Sequence, residues 1–362
     1  MPDGGGFSTF QKGRGAVSNP AVRFEAQAAQ AFDDGWGTLT EDMPSLRTTL
    51  TREAAKSALT YNDSPDLGFD RSINPYRGCE HGCIYCFARP SHAYLGLSPG
   101  LDFETKLLFK PDLPEILARE LSRPGYQAKP VTLGANTDPY QPVERTQGLT
   151  RRVLEVLERF GHPVNIVTKG AGVLRDADIL ARMARRDLVR VCMSITTLDA
   201  KLARVMEPRA ASPIRRLEAV RALAALGIPV TVLAAPMIPG INDAELERIL
   251  EASAQAGASS AGYVLLRLPL EVRQLFEEWL HQHFPERAAR VLALVRQTRG
   301  GKLYDSRFGQ RHTGEGPYAD LLAQRFTLAL RRSRLSGREG SLRKLDCTQF
   351  NSRADARQLE LI

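Results

Sequence analysis

Gly78-Cys79-Glu80-His81-Gly82-Cys83-Ile84-Tyr85-Cys86-Phe87 brings three of the chain's five cysteines together at C-x3-C-x2-C spacing. Thiols this close, in an odd total, do not make an ordinary disulfide framework, so metal binding in a reducing compartment is their leading use. The flanking glycines let the backbone wrap a single metal centre. Zinc needs a fourth ligand, for which His81 and His92 are candidates. Structural zinc sites, however, draw ligands from two separated knuckles; no second C-x2-C occurs here, and Cys192 and Cys347 stand alone. Three cysteines on a four-iron cluster leave one iron open to a substrate or cofactor. The spacing therefore favours iron, with zinc as the alternative.

Outward from this loop, a short extended segment, Phe69–Pro75, enters it and a first helix, Cys86–Leu95, leaves it. Downstream, β-rich apolar runs alternate with helical periodicity. Val131–Leu133 precedes Leu149–Phe160, Val164–Val167 precedes Leu174–Arg185, and Val189–Ile195 precedes Ile214–Leu226. Val230–Ala235 then precedes Ala244–Ala256, and Tyr263–Leu266 precedes two helices, Leu270–His281 and Glu286–Gln297. Gly161, Gly227 and Gly257 fall where helices should end, and Asn242 with Glu245 reads as a capping box. Strands joined by helices of this length imply right-handed βαβ units and a parallel sheet. With the cysteine-bearing unit counted, the pattern predicts an α/β fold, a partial (βα)6 TIM-like barrel over residues 66–298; an open doubly wound sheet is the alternative. Residues 1–65 read as an irregular or flexible arm with one helical stretch, Val22–Phe32. Residues 299–362 read as a C-terminal extension with a helix near Tyr318–Arg332 and a basic tail. Its Gly- and Arg-rich segment Lys302–His312 suits a lid over the barrel mouth or a phosphate- or base-contacting loop.

The chain has 362 residues, 43% apolar and 25% charged, the balance of a folded globular protein. Its formal charge of +8 favours polyanionic partners only if the cations cluster. That keeps a second class of function open, a non-catalytic nucleic-acid-binding protein stabilised by zinc or a cluster. The first residues lack the apolar stretch of a signal peptide, and no run approaches the ~20 apolar residues of a membrane span. The expectation is a cytoplasmic protein without a membrane partner.

Cys79-x3-Cys83-x2-Cys86, with Tyr85 before the last cysteine, resembles the cluster loop of the radical S-adenosylmethionine superfamily. Three further blocks look like the branch that includes spore photoproduct lyase and its uncharacterised relatives. They are Asn74-Pro75-Tyr76-Arg77-Gly78-Cys79, Thr137-Asp138-Pro139-Tyr140-Gln141-Pro142 with Glu144, and Ala235-Pro236-Met237-Ile238-Pro239-Gly240. The resemblance implies that Cys79, Cys83 and Cys86 hold a [4Fe–4S] cluster whose open iron binds S-adenosylmethionine. It implies reduction by an external flavodoxin- or ferredoxin-type donor and cleavage of the cofactor to a 5′-deoxyadenosyl radical. The substrate stays unidentified, nucleic acid being one candidate.

The resemblance also implies roles for single residues. Tyr85 would pack beside adenine, Asn136 and Asp138 would accept from the methionine ammonium, and Lys169 would meet the carboxylate. Ser194 would bind a ribose hydroxyl, while Pro236 and Met237 would offer backbone to adenine. Ordinary readings stand beside these: a turn before Pro139, a surface lysine, a buried backbone-bonded serine. Glu207 and Arg215 read as a local ion pair. Spore photoproduct lyase carries its hydrogen-donor cysteine after the second strand, whereas here no cysteine lies between Phe87 and Val191. This argues against thymine-dimer reversal by that route. Cys192, among apolar neighbours, reads as a buried structural thiol.

Overall fold

The structure, a computed structural model, describes residues 13–24, 46–337 and 344–354. Its strands are β1 (Thr49–Arg52), β2 (Thr60–Tyr61), β3 (Arg71–Ile73), β4 (Tyr76–Arg77), β5 (Lys106–Phe109), β6 (Val131–Leu133), β7 (Val164–Thr168), β8 (Val189–Ser194), β9 (Val230–Met237) and β10 (Ser260–Leu265). The helices begin with α1 (Leu101–Thr105), α2 (Leu113–Leu121), α3 (Glu144–Gln147), α4 (Leu149–Arg159) and α5 (Ala177–Ala184). They continue with α6 (Ala200–Met206), α7 (Pro213–Ala225), α8 (Leu246–Gln255), α9 (Val272–His283), α10 (Pro285–Gln297) and α11 (Pro317–Ser333).

Six parallel strands, ordered β3-β6-β7-β8-β9-β10, make the main sheet, and β2 adds an antiparallel strand beside β3. The count agrees with the alternation read in the sequence, and the sheet does not close: β10 and β2 are its edges. Strand alternation sorts the two faces. Val164 and Ile166 of β7, Val189, Val191 and Met193 of β8, and Val230 and Val232 of β9 are buried in one core with Leu157, Ile179, Leu223 and Ile249 of the covering helices. The alternate residues Asn165 and Val167 of β7 and Arg190 and Cys192 of β8 point the other way and are only half-buried. Cys192 therefore lies off the helix-packed core, which corrects the reading of a buried thiol.

Other local expectations also change. The first helix, expected over Cys86–Leu95, starts later, with Cys86 still in the loop, and is a 3-10 helix, Arg89–Leu95, with Pro90 in its first turn. Asn242 and Glu245 do not cap α8. Asn242 instead ties three loop groups together, donating to Thr196 O (2.7 Å) and Pro236 O (2.9 Å) and accepting from Ile238 N (2.6 Å). Glu245 accepts from Thr197 Oγ1 and Leu198 N. Between the cysteine loop and β6, where the sequence showed no clear period, β5 pairs with β1 and β4 in a small three-stranded sheet beside the loop.

The C-terminal extension covers the exposed edge of β10, which would otherwise offer unpaired backbone. Leu265 N donates to His312 O (2.8 Å), and Ala261 N donates to Ser336 O (3.0 Å). From there the Lys302–His312 segment reaches the opposite edge of the sheet. Gly309 N donates to Asp66 in the β2–β3 turn (2.7 Å), and Arg311 pairs with the same carboxylate (2.5 Å). The segment thus straps the two edges of the open barrel together. Residues 344–354 are not a free basic tail: Asn351 N donates to Phe160 O (2.9 Å), and Phe350 packs on Tyr126, Phe160 and His162. Most of the helix expected at Val22–Phe32 lies outside the described residues, as do residues 338–343 of the tail. Among the described residues no helix is long and apolar enough to cross a membrane.

His162, fully buried beneath the sheet and bonded to the Tyr126 hydroxyl (2.9 Å), yields a pH prediction. Burial holds its pKa at about 4, below the ordinary 6.5. The unfolded chain binds this proton more readily, so the contribution is complete above about pH 6.5 and is lost as pH falls towards about 4. Its size is about 3 kcal/mol. Melting curves recorded from about pH 7 down to about pH 4.5 should fall less steeply for His162→Gln than for wild type. Identical slopes for the two proteins would reject the assignment.

Candidate cluster and cofactor site

The cysteine loop leaves β4 at the carboxyl end of the main sheet's strands. Gly78 turns the chain with φ +75°, and a Cβ there would come within 2.6 Å of Leu107 and 2.8 Å of the Phe103 carbonyl, so only glycine fits. Cys79 N then donates to Phe103 O (2.9 Å), Gly82 N to Cys79 O (3.2 Å) and Cys86 N to Cys83 O (3.2 Å). All three cysteines are free thiols; Cys79 and Cys83 are buried and Cys86 is half-buried. Burial pushes each thiol up, helped by the Asp138 carboxylate at Cys79 and the Glu207 carboxylate at Cys83; Arg89 opposes it at Cys86, and Lys169 at Cys83 and Cys86. Metal ligation must displace these protons, and the two nearby cations favour the thiolates that result.

The donor set suits a cluster. Three soft thiolates from one loop are the ligand type that iron–sulfur centres take. Among the described residues, no three His, Cys, Asp or Glu side chains converge as a single metal ion requires. The two histidines read as further zinc ligands each face another group. His92 is fully buried with Nε2 2.9 Å from Lys106 O, and His81 Nδ1 lies 3.3 Å from Asp138.

The conspicuous sequence blocks turn out to interlock around this loop. Thr137 Oγ1 donates to Tyr76 O (2.9 Å), and Asn136 N donates to Asn74 Oδ1 (2.9 Å). Gln141, fully buried, accepts from Glu80 N (2.9 Å) and donates to Gly78 O (3.3 Å). The Tyr76 hydroxyl donates to Glu144, whose burial raises its pKa to about 7 despite that bond and one from Thr150 N. Gln141 and Glu144 drew no role in the sequence reading. Their signal was present, as polar residues in a block adjoining the second strand, but only the fold brings that block against the loop.

The expected cofactor residues are placed as follows. Asp138 is surrounded: Oδ1 accepts from Thr168 Oγ1 (2.7 Å) and Tyr140 N (2.8 Å), and Oδ2 accepts from Lys169 N (2.6 Å) and faces His81. Burial alone would raise its pKa, yet His81 and these donors hold it near 2. Asn136 is exposed at the same rim. Lys169 is half-buried, with Nζ 5.8 Å from the Tyr85 ring centre and no ion pair among the described residues. The Tyr85 hydroxyl donates to Glu207 and lies 3.4 Å from Thr196 Oγ1.

Glu207 is paired with Arg216 rather than Arg215, both side chains being essentially inaccessible. Arg216 lies on the buried face of α7, whereas Arg215 points outward and reaches Glu218 (3.0 Å). Burial works against the Glu207 carboxylate, but Arg216 and Lys169 keep its pKa at about 2. Arg216 also donates to Ser194 O (3.0 Å), which sets the end of β8 against Tyr85. Ser194 is buried and Met237 fully so; Pro236 is half-exposed at the end of β9, its carbonyl bonded to Asn242.

Comparison with known proteins identifies the family and the fold. Residues 73–252 match the model of the radical SAM superfamily. Uncharacterised proteins of Mycobacterium tuberculosis and Mycobacterium bovis are each 36% identical over 294 residues, covering 80% of this chain and 82% of theirs. One of Methanocaldococcus jannaschii is 25% identical over 214 residues, covering 59% of this chain and 76% of its own. Among solved structures, a spore photoproduct lyase mutant shares the fold with a TM-score of 0.56 at 18% identity, over 80% of each chain. The lyase complexed with dinucleoside spore photoproduct gives 0.56 at 16%, with the same coverage. With the three-cysteine loop at the carboxyl end of a six-stranded parallel sheet, the chain belongs to the radical SAM superfamily.

Proposed function

We propose that Cys79, Cys83 and Cys86 ligate three irons of a [4Fe–4S] cluster and that S-adenosylmethionine lies across the adjoining mouth of the barrel. Members of the superfamily are enzymes that use this cluster and this cofactor, which when bound supply one-electron cleavage to a 5′-deoxyadenosyl radical. The observation that carries the residue assignment is one loop of three free thiols with the Lys169 ammonium, unpaired among the described residues, beside Tyr85. Lys169 suits the cofactor's carboxylate, as a charge-assisted hydrogen bond in a half-buried site. Tyr85 supplies a ring face, and Asn136 is the polar side chain exposed to the ammonium. Asp138, with its lone pairs in use, positions Lys169 and His81 rather than binding the ammonium itself. Ser194 and the half-exposed Pro236 wall the adenosine side, and Met237 supports it from within.

The reduction requires an external one-electron donor, of flavodoxin or ferredoxin type. Anaerobic reconstitution of wild type should give a brown protein with ~4 iron and ~4 sulfide per chain. Dithionite should then release 5′-deoxyadenosine. A colourless protein with stoichiometric zinc would sink the reading.

For the substrate, the same mouth favours a ligand with flat groups joined by negative charge, a single-stranded nucleic acid. Phe87, next to Cys86, and Phe308 on the strap are about half exposed, and each lies under a guanidinium: Arg267 at 5.6 Å and Arg311 at 4.7 Å. Arg267 Nη1 lies 3.0 Å from His312 Nε2, which joins the two pairs in one surface. Stacking on such a ring is worth about 1–3 kcal/mol per base. Phe87→Ala should weaken binding of a fluorescent single-stranded oligonucleotide by about 5- to 150-fold. Wild-type binding that is absent, or insensitive to both Phe87→Ala and salt, would remove the nucleic-acid reading.

A further inference from the structure

We propose that Arg14–Pro20 is part of the cluster seat, a cover strip that docks on the cysteine loop through Glu104 and Arg89 and holds that loop closed. The inference rests on the cluster assignment above.

Arg89 is fully buried and binds both halves of the loop's last turn, donating to Gly82 O (3.1 Å) and Cys83 O (2.9 Å). The same guanidinium donates to Pro99 O (3.1 Å), Gly100 O (2.9 Å) and the carboxylate of Glu104 (2.5 Å). Both members of this ion pair are 0% exposed. Such a pair persists only where its remaining lone pairs find donors, because each desolvated charge otherwise costs several kcal/mol. Those donors come from the far N-terminal segment. Gly15 N donates to Glu104 Oε2 (3.0 Å) and Ala16 N to Oε1 (2.8 Å).

Arg14 anchors the strip a second time. It donates to Glu104 O (3.0 Å), Leu46 O (2.6 Å) and Thr48 Oγ1 (3.3 Å), and Thr48 in turn donates to Glu80 within the cysteine loop (2.5 Å). Asn19 and Asp102 exchange two bonds (3.0 and 3.1 Å), and Ser18 O accepts from Leu101 N (3.2 Å). Contact with the loop is backbone on backbone. A Cβ on Gly15 would stand 1.8 Å from Gly82 O, and one on Gly82 would stand 2.7 Å from Glu104 Oε2. Any side chain at Gly15 lifts the strip away from the loop.

Coupling of this kind is reciprocal: the strip steadies the loop that holds the cluster, and a bound cluster steadies the strip. Gly15→Val and, as a control, Gly68→Val, where a side chain meets open space, can be reconstituted beside wild type. The readout is bleaching of the cluster's absorption in air, with circular dichroism confirming the fold. Gly15→Val should bleach about tenfold faster, the equivalent of about 1.4 kcal/mol, and the control at the wild-type rate. Equal bleaching of Gly15→Val and wild type overturns the proposal while leaving the cluster assignment intact; a wild type that takes up no cluster overturns that assignment instead. If Gly15→Val does not fold, hydrogen exchange of wild type decides. Cluster loading should slow exchange at residues 14–20, and unchanged exchange there overturns the proposal.

Discussion

Cys83→Ala is expected to lose the brown colour on reconstitution and all release of 5′-deoxyadenosine while keeping the fold. Cys83 is buried in the loop between the other two thiols, and its removal leaves two thiolates where a cluster with one open iron needs three. The surrounding loop should persist, because its backbone is held by Arg89, Gln141 and Phe103 independently of the sulfur. Iron content should drop from ~4 per chain to below about one, with the melting temperature of the metal-free protein changed little. Cys347→Ala, in the segment that packs beneath the sheet, should retain both cluster and cleavage. A Cys83→Ala protein that still cleaves the cofactor would mean that the loop is not the cluster's seat.

Arg216→Met should produce the largest loss of stability of any single change at the site. Arg216 and Glu207 are a buried pair, so removing the guanidinium strands a carboxylate that also receives Tyr85 and Thr196. Breaking such a pair from one side costs about 3–5 kcal/mol. At about 2 °C per kcal/mol for a chain of this size, that is a fall of roughly 5–10 °C in melting temperature. Cofactor affinity should fall as well, because the Tyr85 hydroxyl and the end of β8 both rest on the pair. Neutralising the stranded group in Arg216→Met/Glu207→Gln should recover part of the loss, since contacting residues do not act additively. A single variant that melts within about 1 °C of wild type would show that the pair contributes nothing net, as isosteric replacement of some buried pairs does.

The parts of this protein legible in its sequence are those that depend on near neighbours along the chain. The three cysteines lie on one loop, and the alternation of apolar runs yields six parallel strands. Gly161, Gly227 and Gly257, each left-handed, end helices as expected. The misreadings share a cause. Asn242 and Glu245 have the spacing of a capping box, but loop groups brought in by the ends of β8 and β9 compete for both side chains and win. Arg215 and Arg216 are adjacent, and helical phase alone decides which one enters the core with Glu207.

By itself, then, the sequence determined that three thiols share one loop and what architecture surrounds it, because thiol spacing and strand–helix periodicity are local. Only the tertiary structure decided what holds the loop. Gly15 meets Glu104 across 89 positions, and Gly309 meets Asp66 across 243. Which of many polar groups pair at such separations depends on where the strands stop and which face each helix buries, and no short-range pattern encodes either.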